Sequence, residues 1–328
     1  MLTSNGYVLD ESPHRFGTLE PTPLEERDDL DALWHRLRRD GYLYLTGHLD
    51  PQTLLEFRRY YFDELRETGV VDPDADPVEG LAGSGEIDKQ AFRRVLFDRV
   101  IPGEAYERLC RLPEIEGWFR WFLGEEVYLH KRRILRHVRP GEMGIGTATQ
   151  AHYDLIYFRG GSDRVLSMWI PLGDCPRERG GLTYLENSHS WVLEQEREGT
   201  LPTPVASITA DLPGLAEKHD ERWLVADYRT GDVVVHSAHI VHASLDNVDA
   251  DGVMRLSTDI RYQRESEPID WRWAEYFSDR DGWKWDLDAP PDADEARRLA
   301  LLQRAPDFSQ GVVEGDGTKY REASSVGE

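Results

Sequence analysis

Cysteine is almost missing from this chain: among 328 residues there are only Cys110 and Cys175, too few and too distant for a disulfide framework or a cysteine zinc cluster. Long apolar runs are missing too. No segment approaches the roughly 18 consecutive apolar residues of a membrane span, and Met1 to Asp10 has neither the basic nor the apolar region of a secretion signal. Positive charge is scarce, with 39 Lys and Arg against 62 Asp and Glu and a formal charge of −23. That sign excludes a nucleic-acid or anionic-membrane partner, either of which needs a basic surface. A soluble protein in the reducing cytoplasm is the expectation. At 39% hydrophobic residues the chain can bury a full core, and its length suits one elaborated domain better than two equal ones.

The order along the chain is helices first and strands later. Thr22-Pro23-Leu24-Glu25 reads as a capping box, and Leu30, Leu33, Trp34 and Leu37 follow on one helical face until Asp40-Gly41. Tyr42 to Leu45 is a short strand, and Asp50-Pro51 opens a second helix carrying Leu54, Phe57, Tyr61 and Leu65. Asp72 to Gly85 reads as a loop and Lys89 to Leu123 as helical. A strand over Val127 to Val138 then begins a series of short segments rich in Val, Ile, Tyr and Trp that runs to Tyr262, the pattern of an all-β core. The boundaries expected for a single domain are 1–288, with a helical part at 20–123, a core at 125–265 and an aromatic extension at 266–288. Trp271, Trp273, Trp283 and Trp285 mark that extension, and a polar tail follows from 289 to 328 with a helical patch at Ala296 to Gln303.

Two segments about ninety residues apart carry the chemistry. In Ala151-His152-Tyr153-Asp154 the His and Asp stand two apart, so an extended chain turns both to one face. The second segment, Gly231-Asp232 followed by Val233 to Val235, leads to His236, His239 and His242. Two His and one carboxylate leave three positions open on a non-haem Fe(II). His152 and Asp154 with one of the three downstream histidines make such a set.

The surroundings narrow the choice. Leu166 to Asp174 holds Trp169 and ends in Leu172-Gly173-Asp174; Gly180-Gly181 leads through Thr183 to Ser188-His189; and His242-Ala243-Ser244 is followed by Asn247 and by Arg255. This ordered series, over about residues 40 to 265, resembles the phytanoyl-CoA dioxygenase family of 2-oxoglutarate oxygenases. The resemblance implies a fold that is mainly β with a helical wrap, its core a double-stranded β-helix (jelly roll). It implies Fe(II) held by His152, Asp154 and His242, with 2-oxoglutarate and O2 as co-substrates. Arg255 becomes the partner of the far 2-oxoglutarate carboxylate, since a guanidinium offers two parallel donors and stays charged when buried. Arg261, on the same strand face by parity, is the alternative. Ser257, Trp169, Thr183 and Gln150 are further candidate contacts to the co-substrate. Asp154 itself argues against halogenation, because related halogenases carry a small residue there.

The expected reaction is hydroxylation of an unactivated C–H bond in a small molecule, with release of succinate and CO2. The same residues would serve desaturation, epoxidation or cyclisation. A basic cluster from His130 to Arg139, just upstream of the metal motif, leans towards a polar or anionic substrate. The competing readings are a cupin-type metal enzyme that needs no 2-oxoglutarate and a non-catalytic jelly-roll binding protein. Nothing in the sequence sets an oligomeric state.

Overall fold

Two larger β-sheets packed face to face, with helices against the outer side of one and a two-stranded ribbon at the start of the chain, form the body of the computed structural model, which describes residues 1–142, 144–158, 161–200, 207–270 and 276. The chain begins with β1 (Thr3–Ser4), β2 (Tyr7–Val8) and β3 (Phe16–Thr18), then α1 (Leu30–Asp40), β4 (Tyr42–Leu45) and α2 (Pro51–Glu64). The helices α3 (Lys89–Arg94), α4 (Glu104–Cys110) and α5 (Pro113–Leu123) follow. Next come β5 (Val127–Leu129), β6 (Ile134–Val138), α6 (Leu155–Phe158), β7 (Leu166–Pro171) and β8 (Leu182–Leu185). The last described elements are α7 (Ser188–Glu198), α8 (Leu212–His219), β9 (Trp223–Val225), β10 (Val233–Ser237), β11 (His242–Ser244) and β12 (Arg255–Arg264). The larger sheet runs β4-β10-β7-β12-β5, with β6 also paired to β12, and the smaller runs β11-β8-β9-β3. The sheets are those of a jelly roll, packed as two layers and not closed into a hydrogen-bonded barrel.

Alternation along the strands of the larger sheet decides what each face does. Leu43, Leu45, Leu166, Met168, Ile170, Val233, Val235, Leu256, Ile260 and Tyr262 join the helices in one core. Their alternates Tyr42, Tyr44, Trp169 and Val234 meet Leu182, Tyr184 and Leu224 of the smaller sheet, and Tyr228 beyond it, in another. By the same period, Arg255, Ser257, Asp259 and Arg261 of β12 point into the space between the sheets. In β6, Arg136 stands directly opposite Ser257 and so shares that face.

Several local expectations shift. The first helix starts at Leu30, capped by Asp29, whose side chain accepts from the Ala32 N–H, while Leu24–Glu26 makes only a 3-10 turn. Asp29 wins because its carboxylate reaches an orphan N–H of the first turn. Gly41 ends the helix in the left-handed conformation at φ 80°, as Asp40-Gly41 foretold. The strand expected over Val127 to Val138 is broken between β5 and β6, and α6, α7 and α8 lie where only strands were expected. Trp271, Trp273, Trp283, Trp285 and the patch Ala296 to Gln303 lie outside the described residues.

One buried side chain ties the loop from Asp72 to Gly85 to the larger sheet. Arg58 of α2, 4% exposed, donates to the carbonyls of Val78 (2.7 Å), Glu79 (2.9 Å), Leu172 (3.1 Å) and Met254 (3.1 Å). Gly80 makes room for it: a Cβ there would lie 2.2 Å from Nη2.

Two histidines beside β12 set an acid limit on stability. Burial pushes His130 and His137 down to about 4 from an ordinary 6.5, so the folded protein keeps both neutral while the unfolded chain protonates them. Their contribution is complete above about pH 6.5 and is lost as pH falls towards about 4. Denaturant midpoints at pH 7 and pH 5 should drop in the wild type and drop less in His130→Asn. Equal drops would mean that His130 is not a source of the loss.

Candidate metal centre

The two ligand-bearing segments are bonded to each other. His152 and His242 exchange both backbone hydrogen bonds, at 3.0 and 2.8 Å, which makes them directly opposed residues on one face. β11 is in turn paired with β8, His242 opposite Tyr184. Asp154, two residues beyond His152, completes a group whose donor atoms all lie within 4.8 Å of one another, and all three residues are buried. The Nε2 atoms of His152 and His242 are each 3.8 Å from Asp154 Oδ1.

The protonation states suit a cation. His152 Nδ1 lies 2.9 Å from the Gln150 carbonyl and His242 Nδ1 3.1 Å from the Ile240 carbonyl. A carbonyl only accepts, so both rings carry the proton on Nδ1 and turn the Nε2 lone pair towards Asp154. Burial lowers the pKa of His152, and that of His242 lies well below the ordinary value through burial and the neighbouring His152 and His236. Burial alone would raise Asp154, yet the Arg261 guanidinium and the adjacent imidazoles hold it well below the carboxylate range. Two neutral imidazoles and one carboxylate are the donor set that an Fe(II) ion with open positions takes.

Behind the group stands support that residue spacing did not reveal. Arg261 donates to both oxygens of Asp154, at 3.3 and 3.2 Å, and the Ser167 hydroxyl bonds Oδ2. His236 Nε2 is 3.6 Å from the same Oδ2, its Nδ1 paired with the Tyr184 hydroxyl at 3.1 Å. Partners of this kind orient a ligand and tune its basicity. The signal was present only as strand parity: Ser167 precedes Trp169 by two and His236 follows Val234 by two.

The other candidates separate. Arg255, 3% exposed, gives one hydrogen bond, 2.7 Å to the Gly180 carbonyl, and its Nε is buried without an acceptor among the described residues. Burial, reinforced by Arg136, pushes its pKa down to about 10. Ser257 and Trp169 face the same space, Trp169 against Tyr228 at a ring separation of 4.6 Å. Gln150 accepts a hydrogen bond from His152 Nδ1–H on its backbone carbonyl and one from the Ser207 hydroxyl on its side-chain oxygen. Thr183 requires a correction: it shares a strand face with Leu185, opposite Tyr184, and its hydroxyl donates to the Leu224 carbonyl at 2.8 Å. Its side chain is turned away from the space between the sheets. His239 is buried on the turn before β11 and is not part of the metal group.

A jelly roll holding this triad between its sheets, with a buried arginine offering an open donor on the same face, defines a non-haem iron, 2-oxoglutarate-dependent oxygenase. The model of the phytanoyl-CoA dioxygenase (PhyH) family matches residues 37–255, from α1 through all three ligands to Arg255, and the chain belongs to that family. It is 27% identical to a 1-deoxypentalenic acid 11-beta-hydroxylase of Streptomyces exfoliatus, covering 75% of this chain and 84% of that one. It is 25% identical to an ectoine dioxygenase of Nocardia farcinica, covering 73% and 82%. Among solved structures it shares its fold with SnoK, a non-heme alpha ketoglutarate dependent carbocyclase from nogalamycin biosynthesis (TM-score 0.52, 21% identity, 76% and 89% covered). Among the described residues no helix is long and apolar enough to cross a membrane.

Proposed function

We propose that this enzyme hydroxylates an unactivated C–H bond of a small polar metabolite, with the far carboxylate of 2-oxoglutarate held by Arg255. One observation carries the assignment of that residue. Arg255 is a buried cation without an ion-pair partner among the described residues, whereas Arg261 is committed to Asp154. An isolated buried charge is costly, and a dicarboxylate seated on Arg255 removes the cost. Ser257, two residues along, would add a hydroxyl to the same carboxylate, and Trp169 would wall the co-substrate.

His152, Asp154 and His242 would hold the iron. Bound Fe(II) supplies the redox chemistry, in which 2-oxoglutarate, O2 and R–H become succinate, CO2 and R–OH. The chain's own residues do the placing. Arg261 and Ser167 keep the Asp154 carboxylate ionised and oriented, and the two backbone carbonyls fix the tautomer of each imidazole. The aromatic walls from Tyr42, Trp169, Tyr184 and Tyr228 keep water from the interior, where electrostatic contacts gain strength. Named relatives act on 1-deoxypentalenic acid and on ectoine, both small molecules, which supports a substrate of that size. The donor set of two His and one Asp, together with family membership, disfavours the cupin-type and non-catalytic alternatives.

Replacing Arg255 by Gln should raise the KM for 2-oxoglutarate by about a hundredfold, near 3 kcal/mol for a lost charge-assisted pair, with a smaller effect on kcat. Succinate release at varied 2-oxoglutarate measures it. An unchanged KM would return the assignment to Arg261.

A further inference from the structure

Three guanidinium groups, those of Arg136, Arg255 and Arg261, face the space between the sheets, and among the described residues only that of Arg261 is ion-paired there, with Asp154.

Arg136 is the cation left over. Arg261 has Asp154, and the reading above gives Arg255 the co-substrate. Arg136 donates to the Thr149 hydroxyl, and no carboxylate among the described residues forms an ion pair with it. Asp259, which faces the same space, is beyond ion-pairing reach. Unlike Arg255, Arg136 is half-buried, so its guanidinium borders open space. Thr149 is itself bonded to Ser244 through both its N–H and its carbonyl, and it lies three residues before His152. The arginine is thereby fixed beside both metal-ligand segments.

We propose that Arg136 anchors a carboxylate on the substrate, so that the enzyme oxidises a C–H bond of a small monocarboxylic acid. The proposal rests on Arg255 holding 2-oxoglutarate. A planar guanidinium with a free edge matches a single carboxylate.

The test uses anaerobic Fe(II)-loaded protein and titration calorimetry. In the first arm 2-oxoglutarate is titrated into the wild type, Arg136→Gln and Arg255→Gln. The proposal expects Arg136→Gln to bind it within about twofold of the wild type and Arg255→Gln to bind at least tenfold more weakly. In the second arm the 2-oxoglutarate complex is titrated with cyclopentane-, cyclohexane- and decalin-carboxylate and with the primary amide of each. Acids should be preferred to amides by about tenfold in the wild type, a gap near 1.4 kcal/mol, and the preference should vanish in Arg136→Gln. Acid and amide taken up equally, or neither taken up, overturns the proposal. So does a loss of 2-oxoglutarate affinity in Arg136→Gln, which would make it a co-substrate residue. Normal 2-oxoglutarate binding in Arg255→Gln brings down the underlying assignment instead.

Discussion

His242→Ala is expected to lower iron-dependent 2-oxoglutarate turnover by about three orders of magnitude, equivalent to about 4 kcal/mol of transition-state stabilisation, while the protein remains folded. The imidazole is one of only two nitrogen donors in the group, and its removal leaves Asp154 with Arg261, so no buried charge is stranded. Asp154→Ala is the informative contrast. It removes a ligand and also takes from the buried Arg261 guanidinium the carboxylate to which it donates twice, a loss on the order of 3–5 kcal/mol in stability. Anaerobic Fe(II) binding and thermal melts of the two variants separate the effects: both lose the metal, and only Asp154→Ala melts markedly earlier. Turnover by His242→Ala near the wild-type rate would remove His242 from the ligand set.

The largest effect on folding is expected at Arg58→Ala, far from the chemistry. Four backbone carbonyls, from the 3-10 turn at Pro77–Glu79, from the end of β7 and from the residue before β12, converge on its guanidinium. Truncation leaves them without a donor in a dry setting, at about 4 kcal/mol and roughly 10 °C in Tm. Arg59→Ala is the control, since its partner Asp76 is exposed and surface ion pairs contribute about 1 kcal/mol at most. If the two variants melt together, Arg58 is not the pin it is taken to be.

Much of the fold and of the centre was legible because it rests on local rules. His152 and Asp154 are separated by the period of a strand, Gly231-Asp232 opens an apolar strand, and Asp50-Pro51 caps a helix wherever it stands. What escaped depends on contacts that spacing does not encode. Arg261 reaches Asp154 across 107 residues, and that Arg136 and Arg255 have no ion-pair partner among the described residues emerges only from the placement of distant segments. Thr183 was misjudged because its face depends on register: Tyr184 opposes His242, which turns the threonine outward. Helices α7 and α8 were hidden by an all-β expectation, although Trp191 and His219 stack their rings at 4.3 Å to join them.

β12 has a consequence for how such an enzyme changes over time. Every second residue belongs to the reaction chamber, and those between, Leu256, Thr258, Ile260 and Tyr262, belong to the helical core. Sliding the strand by one residue would push apolar side chains among the ligands and charges into the core, so no intermediate register is usable. Insertions in the turn before it, Asp249 to Gly252, leave that phase untouched. Drift in what the enzyme accepts is therefore channelled into its connecting segments, while the row Arg255, Ser257, Asp259, Arg261 changes only by replacement of one side chain at a time.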